Sequence, residues 1–158
     1  MLDLAARNPG RLSHVQIDRS VLTLHLHGPA ALAVSTDPTA CPLMSHAVRI
    51  DFPVHFPAVP MEMFLQAPVV HPNIHPETGF VCLWQRHRVS NTVEHAMHRL
   101  VAMLAGEQQN PAPMHVMQPL ALHHTLYSEP MPLLGVLHND GAANPQDAAL
   151  RDRRRRLQ

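Results

Sequence analysis

Six prolines stand between positions 53 and 76, and they constrain the fold of this chain more than any other sequence feature. They are Pro53, Pro57, Pro60, Pro68, Pro72 and Pro76. Because proline lacks a backbone N–H, it is excluded from the middle of a central strand and from the interior of a helix. We therefore expect this stretch to be an ordered loop around one short strand, over Met61 to Gln66.

Before this stretch, apolar residues alternate with polar residues in three segments. The apolar positions are Val15 and Ile17 in the first, Leu22, Leu24 and Leu26 in the second, and Val48, Ile50 and Phe52 in the third. This period of two predicts strands with one buried face. We expect Gly28-Pro29 to close the second strand and residues 35–45 to connect it to the third. With the strand after Pro60, the pattern predicts a four-stranded antiparallel meander.

The period changes after position 90, where apolar residues fall on one stripe of a helix of about fourteen residues. The stripe consists of Val93, Ala96, Met97, Leu100, Val101 and Leu104. Asn91 can cap the N-terminus with Glu94 three residues later, and Gly106 stands where a C-terminal cap belongs. A helix that follows the meander makes the predicted fold class α+β.

Composition favours one soluble cytoplasmic domain. The 158 residues are 46% hydrophobic, yet no apolar run reaches the roughly 20 residues of a membrane span, and no secretory signal is visible. The formal net charge is zero, which gives no reason to expect nucleic acid or a membrane as a partner. In a reducing cytoplasm, Cys41 and Cys82 would both be free thiols.

All twelve basic residues are arginines, so the chain contains no lysine. Codon usage in a GC-rich genome is one explanation. The alternative is functional, because a chain without lysine carries no nucleophilic side-chain amine. The lysine amine is a nucleophile, whereas the arginine guanidinium stays protonated.

The segment from Phe52 to Leu83 carries an ordered set of short motifs. They are Phe52-Pro53, Phe56-Pro57, Pro60, Phe64, His71-Pro72-Asn73, Gly79 and Cys82-Leu83. In this order and near-spacing they resemble the ubiquitin-conjugating (E2) enzyme superfamily, and the resemblance covers roughly residues 12–106. It implies the E2 (UBC-like) fold: a meander, an active-site loop and a central helix, with trimmed N- and C-terminal helices.

The resemblance also implies a chemistry. Cys82 would accept a ubiquitin-like protein from an E1-like activating enzyme as a thioester and transfer it to a lysine amine of a target protein. Asn73 would either stabilise the oxyanion of the transfer step or order the loop beside the cysteine. His71, Pro72 and Gly79 would support the site structurally. The resemblance implies no cofactor and no metal.

The resemblance also suggests boundaries within the chain. We divide it into a short N-terminal segment (1–11), an E2-like catalytic core (12–110), a proline-rich C-terminal extension packing on the core (111–143) and a basic C-terminal helix or tail (144–158). Asn144-Pro145 is a candidate start for this last helix, which would end in Arg153 to Arg156. That arginine run is either a solvated patch or a contact for an acidic partner.

Three departures from the family pattern qualify this prediction. The spacing from Asn73 to Cys82 is one residue longer than usual, and the N-terminal helix that docks E1 is expected to be short or absent. The acidic residue that orients the incoming lysine has no clear counterpart, with Glu129 and Asp140 as candidates. Such a trimmed chain resembles the bacterial E2-like proteins of conjugation operons, which suggests a role in antiphage defence or a related conjugation system.

Two other interpretations remain. Catalytically inactive E2-like and RWD-type protein-binding modules share the fold, although Cys82 together with Asn73 argues for chemistry. A zinc site is the second, since His71, His75, Cys82 and His87 are close in sequence and imidazole with thiolate suits zinc. Their spacing matches no standard zinc pattern.

Overall fold

The structure is a computed structural model and describes residues 2–35, 39 and 41–123. It contains a short helix α1 (Leu2–Arg7), four strands β1 (Leu12–Asp18), β2 (Val21–Ala31), β3 (Leu43–Asp51) and β4 (Glu62–Leu65), and a helix α2 (Val93–Leu104). Two 3₁₀ turns follow, Pro113–His115 and Pro119–His123. None of the described helices is long and apolar enough to cross a membrane.

The four strands form one antiparallel sheet in the order β1-β2-β3-β4. Leu24 pairs with Val48, and Ile50 pairs with Met63. All four of these side chains are buried, because the alternating pattern places them on the same face of the sheet. The α+β fold with a four-stranded meander is confirmed.

The prediction that Gly28-Pro29 closes the second strand is wrong. β2 continues to Ala31, which pairs with Leu43 after a register shift that begins at His27. Gly28 adopts a φ of +61°, a conformation that glycine reaches without steric cost. The irregularity is therefore absorbed inside the strand as a bulge.

Helix α2 lies against the buried face of the sheet, contacting β2. Its stripe of Ala96, Met97, Leu100, Val101 and Leu104 is buried in the same core as the sheet residues, as expected.

The predicted N-cap of α2 is wrong by one residue. Thr92 caps the helix, its hydroxyl accepting from the His95 N–H, and the His95 ring accepts from the Thr92 N–H. Threonine and asparagine are both favoured N-cap residues, and the preference between them is too small for sequence alone to choose between adjacent candidates. Gly106 stands just past the end of the helix with φ +75°, as a C-terminal glycine should.

Several sequence predictions lie outside the described residues. These are the last helix from Asn144-Pro145, the Arg153 to Arg156 run, the candidates Glu129 and Asp140, and most of the extension 111–143.

Candidate active site

Cys82 follows a small hairpin that comes after β4 in the chain and whose second arm bridges back to β4. The two arms meet in an isolated antiparallel bridge between Ile74 and Val81, and both side chains are buried in the core. The Cys82 N–H donates to the Asn73 carbonyl over 2.9 Å. The hairpin therefore fixes Cys82 beside Asn73, the two residues that the motif singled out.

The tip of the hairpin, residues 75–79, accommodates the extra residue between Asn73 and Cys82. The Gly79 N–H donates to the His75 carbonyl over 3.0 Å. The Nδ1 of His75 accepts from the N–H groups of Glu77 and Thr78, each over 3.2 Å. The longer spacing is thus accommodated by a turn that is stabilised by hydrogen bonds among its own residues.

Gly79 brings this turn against the backbone of β4. Its φ is +70°, and a Cβ at this position would lie 1.9 Å from the carbonyl oxygen of Leu65. The Leu65 N–H in turn donates to the Gly79 carbonyl over 2.9 Å. Only glycine permits this approach, which agrees with a supporting role for Gly79.

His71 is buried at the base of the hairpin. Its Nδ1 accepts the Asn73 backbone N–H over 3.1 Å, which leaves Nε2 to donate to the Gln108 carbonyl over 3.1 Å. Burial lowers the pKa of His71 to about 4, although the Gln108 hydrogen bond acts in the opposite direction. His71 is therefore a neutral ring that joins the hairpin to the chain after α2.

The motif and the returning chain are bonded at further points. The Pro72 carbonyl accepts the Met117 N–H over 2.7 Å. The Gln118 side chain donates to the carbonyls of Val69 and Ile74 over 2.9 and 2.7 Å. Residues 108–118 are thereby held over the hairpin that carries Cys82.

Asn73 is 1% exposed, and its side chain forms hydrogen bonds with this returning loop. Its Oδ1 accepts the Asn110 N–H over 2.7 Å. Its Nδ2 donates to the carbonyls of Asn110 and His115 over 2.8 and 2.9 Å. A carboxamide has two N–H groups, and both are used here. This geometry favours loop ordering over direct oxyanion binding, the two alternatives that the sequence left open.

Cys82 is partly buried, with its Sγ 3.2 Å from Nδ1 of His115. Burial raises the pKa of the Cys82 thiol, and the positive charge of Arg99 partly offsets this effect. An arginine near a thiol favours its thiolate, the nucleophilic form.

Sequence reasoning did not find His115 or Arg99. His115 lies 33 residues after Cys82 in a proline-rich segment of a chain with fourteen histidines, so no spacing marks it. Arg99 lies on α2, where its guanidinium carbon is 5.7 Å from the centre of the Trp84 ring. Only the tertiary fold brings these two residues to Cys82.

The histidines considered for zinc are separately engaged. His71 and His75 bond to the backbone as described, and His87 is 2.8 Å from the Pro57 carbonyl through Nε2. Among the described residues, no group of three or more histidine, cysteine, aspartate or glutamate side chains is arranged to hold a metal ion.

A family model for the ubiquitin-conjugating enzyme matches residues 36–131, more than half of the 158 residues. The matched region contains the hairpin, Cys82, α2 and the loop that carries His115. A search of curated proteins found no match. The chain therefore belongs to the ubiquitin-conjugating (E2) enzyme family.

Proposed function

We propose that the chain accepts a ubiquitin-like protein from an E1-like activating enzyme as a thioester on Cys82. It then transfers that protein to a lysine amine of a target protein. Family membership supports a conjugating function in general. The observation that supports the specific role is the position of Cys82, a partly exposed thiol fixed by a hairpin and hydrogen-bonded to an imidazole.

The geometry suits the chemistry of the loading step. Loading exchanges one thioester for another, a reaction that needs an accessible thiolate more than a strong base. The Cys82 N–H is bound to the Asn73 carbonyl, so the backbone that carries the thiol is fixed before the reaction. A fixed and accessible nucleophile lowers the entropic cost of attack.

The second cysteine lacks such a setting. Cys41 is an exposed free thiol in the connection between β2 and β3. Exposure alone does not create a site for a thioester, so we assign the carrier role to Cys82 and none to Cys41.

The setting of the reaction is part of the proposal. Both thiols would remain reduced in cytoplasm, where we place the chain. The sequence resemblance favours a bacterial conjugation system, such as one used in antiphage defence, and the partners are then an E1-like enzyme, a ubiquitin-like protein and a target. The proposal includes no nucleic acid or membrane partner and no cofactor.

The direct test is intact mass spectrometry after mixing the chain with its E1, a ubiquitin-like protein and ATP in the absence of reductant. We expect a single adduct that thiol reagents remove. Cys82→Ala should abolish it, Cys41→Ala should leave it unchanged, and Cys82→Ser should form a slower, thiol-stable oxyester. If the unmutated chain binds the E1 or the ubiquitin-like protein but never forms an adduct, it is a protein-binding module instead.

A further inference from the structure

We propose that His115 is a catalytic residue that carries the Cys82 proton, and that Asn73 is the positioning residue that places His115 at the thiol. The inference deepens the proposed function and rests on it for its role in conjugation. The 3.2 Å contact between Cys82 Sγ and His115 Nδ1 carries it. The contact itself is testable on the chain alone.

The position of His115 is built into the fold. It ends the 3₁₀ turn Pro113–His115, and its N–H donates to the Ala112 carbonyl over 2.8 Å. Its own carbonyl accepts from Asn73 Nδ2 over 2.9 Å. The hairpin that holds Cys82 therefore also holds the backbone of the residue facing it.

This arrangement gives Asn73 an indirect route to the reaction. Both of its N–H groups are donated to the loop, so neither is free for a reacting carbonyl in this arrangement. Asn73 fixes the distance between the thiol and the imidazole by bonding to the backbone of both residues. Its main-chain carbonyl accepts the Cys82 N–H, and its side-chain amide donates to the His115 carbonyl.

In the loading step, the proton of the Cys82 thiol passes to Nδ1 of His115, leaving a thiolate. The thiolate attacks the carbonyl carbon of the E1 thioester, forming the Sγ–C bond and breaking the bond to the E1 sulfur. The departing E1 thiolate takes up the proton from His115. An imidazole suits this exchange because it gains and loses a proton near neutral pH.

In the transfer step, an amine attacks the carbonyl carbon, an N–C bond forms, and the C–Sγ bond breaks. The amine loses one proton to Nδ1 of His115, which returns it to the departing Cys82 thiolate. Atoms and charge balance without another reactant. Loaded Cys82 has no proton of its own, so Nδ1 is available as an acceptor at this stage.

The charge near the Cys82 thiol comes from Arg99 on α2. Burial raises the pKa of the thiol, and the Arg99 guanidinium acts in the opposite direction. The ion pairs within residues 2–35, 39 and 41–123 join Arg7 with Asp3 and Glu94, and Arg49 with Asp51. Along this part of the chain, neither His115 nor Arg99 has an acidic side chain as an ion-pair partner.

The first experiment measures alkylation of Cys82 by iodoacetamide in a Cys41→Ser background, from about pH 5 to about pH 9. His115→Asn keeps a polar atom near the Nδ1 position but cannot accept a proton. We expect it to react about 10-fold more slowly at pH 7, because no imidazole is left beside the thiol to take its proton. His115→Gln serves as a second variant, and His55→Asn, an exposed histidine outside the site, is the matched control.

The outcomes separate this proposal from the proposed function. If the His115→Asn profile superimposes on the parent profile, His115 does not take the thiol proton, whether or not Cys82 loads. If the profile shifts but no thioester forms with E1, ubiquitin-like protein and ATP, the pair is real and the conjugating role fails.

The second experiment tests whether Asn73 acts through His115. Asn73→Asp removes the donors to the loop, and Asn110→Ala loosens the same loop by removing the acceptor of the Ala112 N–H. Each should move the alkylation profile towards that of His115→Asn. When combined with His115→Asn, each should slow alkylation by less than about a further 2-fold. Thermal melts confirm that each variant is folded at the assay temperature. Additive effects in the double variants would overturn the positioning role, since a merely structural loss does not depend on the histidine.

Discussion

The side chain of Asn73 and the backbone of Asn110 are joined by two hydrogen bonds. The Oδ1 of Asn73 accepts the Asn110 N–H over 2.7 Å, and its Nδ2 donates to the Asn110 carbonyl over 2.8 Å. Both residues are buried, so water cannot replace either bond at low cost. The loop after α2 is thus closed onto the hairpin by one side chain, whose carboxamide matches a peptide group in donor and acceptor.

We predict that Asn73→Ala lowers the free energy of unfolding by about 2–4 kcal/mol, because backbone groups of Asn110 and His115 lose their partner in a buried setting. It should also slow loading and transfer together, since both steps use the same loop. Urea unfolding and single-turnover assays of each step measure these effects. If stability and loading survive while transfer alone falls about 100-fold, the amide acts directly on the oxyanion.

The turn of the hairpin gives a sharper test of packing. We predict that Gly79→Ala destabilises the fold by about 3 kcal/mol or more, because the new Cβ would meet the Leu65 carbonyl oxygen at a backbone φ of +70°. Gly10→Ala is the matched control, since a Cβ there has no atom within 4 Å. Urea denaturation compares the two variants. Equal, small effects would show that the hairpin does not approach β4 so closely.

Burial of His71 predicts a pH dependence of stability. Its pKa is lowered from 6.5 to about 4, so between these values the unfolded chain binds a proton that the folded chain does not. The stabilising contribution is present above pH 6.5 and is lost as the pH falls towards 4, by up to about 3 kcal/mol. Burial also lowers the pKa of His46, which adds a loss of the same sign.

The His71 contribution can be isolated with His71→Gln. Urea unfolding at several pH values should show a variant that is less stable than the parent at pH 7 but loses less stability on acidification. The decline that remains belongs to His46 and other groups. His55→Gln, at an exposed position, should keep the parent slope. A His71→Gln slope identical to that of the parent would contradict a buried neutral ring.

Local patterns predicted the sheet and the central helix because each depends on near neighbours. Leu22, Leu24 and Leu26 alternate along β2, and all three are buried. Asn73 and Cys82 were named by the family resemblance, and they meet through a local turn. Where two local signals competed, as with Asn91 and Thr92 at the start of α2, the pattern could not decide the boundary.

The contacts that set the chemistry of the thiol are not local. His115 reaches Cys82 because the returning chain is bound by Asn73, His71 and Pro72. No periodic pattern in the sequence predicts the course of that segment. The path of that segment also bears on the interpretation of Asn73. The resemblance left two alternatives, an oxyanion donor and a loop-ordering residue, and the hydrogen bonds that favour the second exist only with the partner loop in place. The motif named the residues of the candidate site within the hairpin, and the fold places His115 and Arg99 near them.

The absence of lysine limits the amines that a loaded chain can modify on its own surface. A loaded E2 holds an acyl donor beside its own surface while it waits for a target, so surface amines react at high effective concentration. Arginine does not replace lysine as a nucleophile, because its guanidinium remains protonated. With no lysine in the chain, the α-amine at the N-terminus is the strong nitrogen acceptor that remains.

We therefore predict that thiol removes the Cys82 adduct completely, apart from any product at the N-terminal amine. Arg86→Lys or Arg88→Lys, at exposed positions soon after Cys82, should create a thiol-resistant band that disappears in a Cys82→Ala background. Arg86→Gln, which removes the charge without adding an amine, should not. Intact mass and peptide mapping locate the product. A protective role would be excluded by abundant thiol-resistant adduct on the unmutated chain away from its N-terminus. Self-modification would then proceed without lysine, and codon usage would account for the arginines.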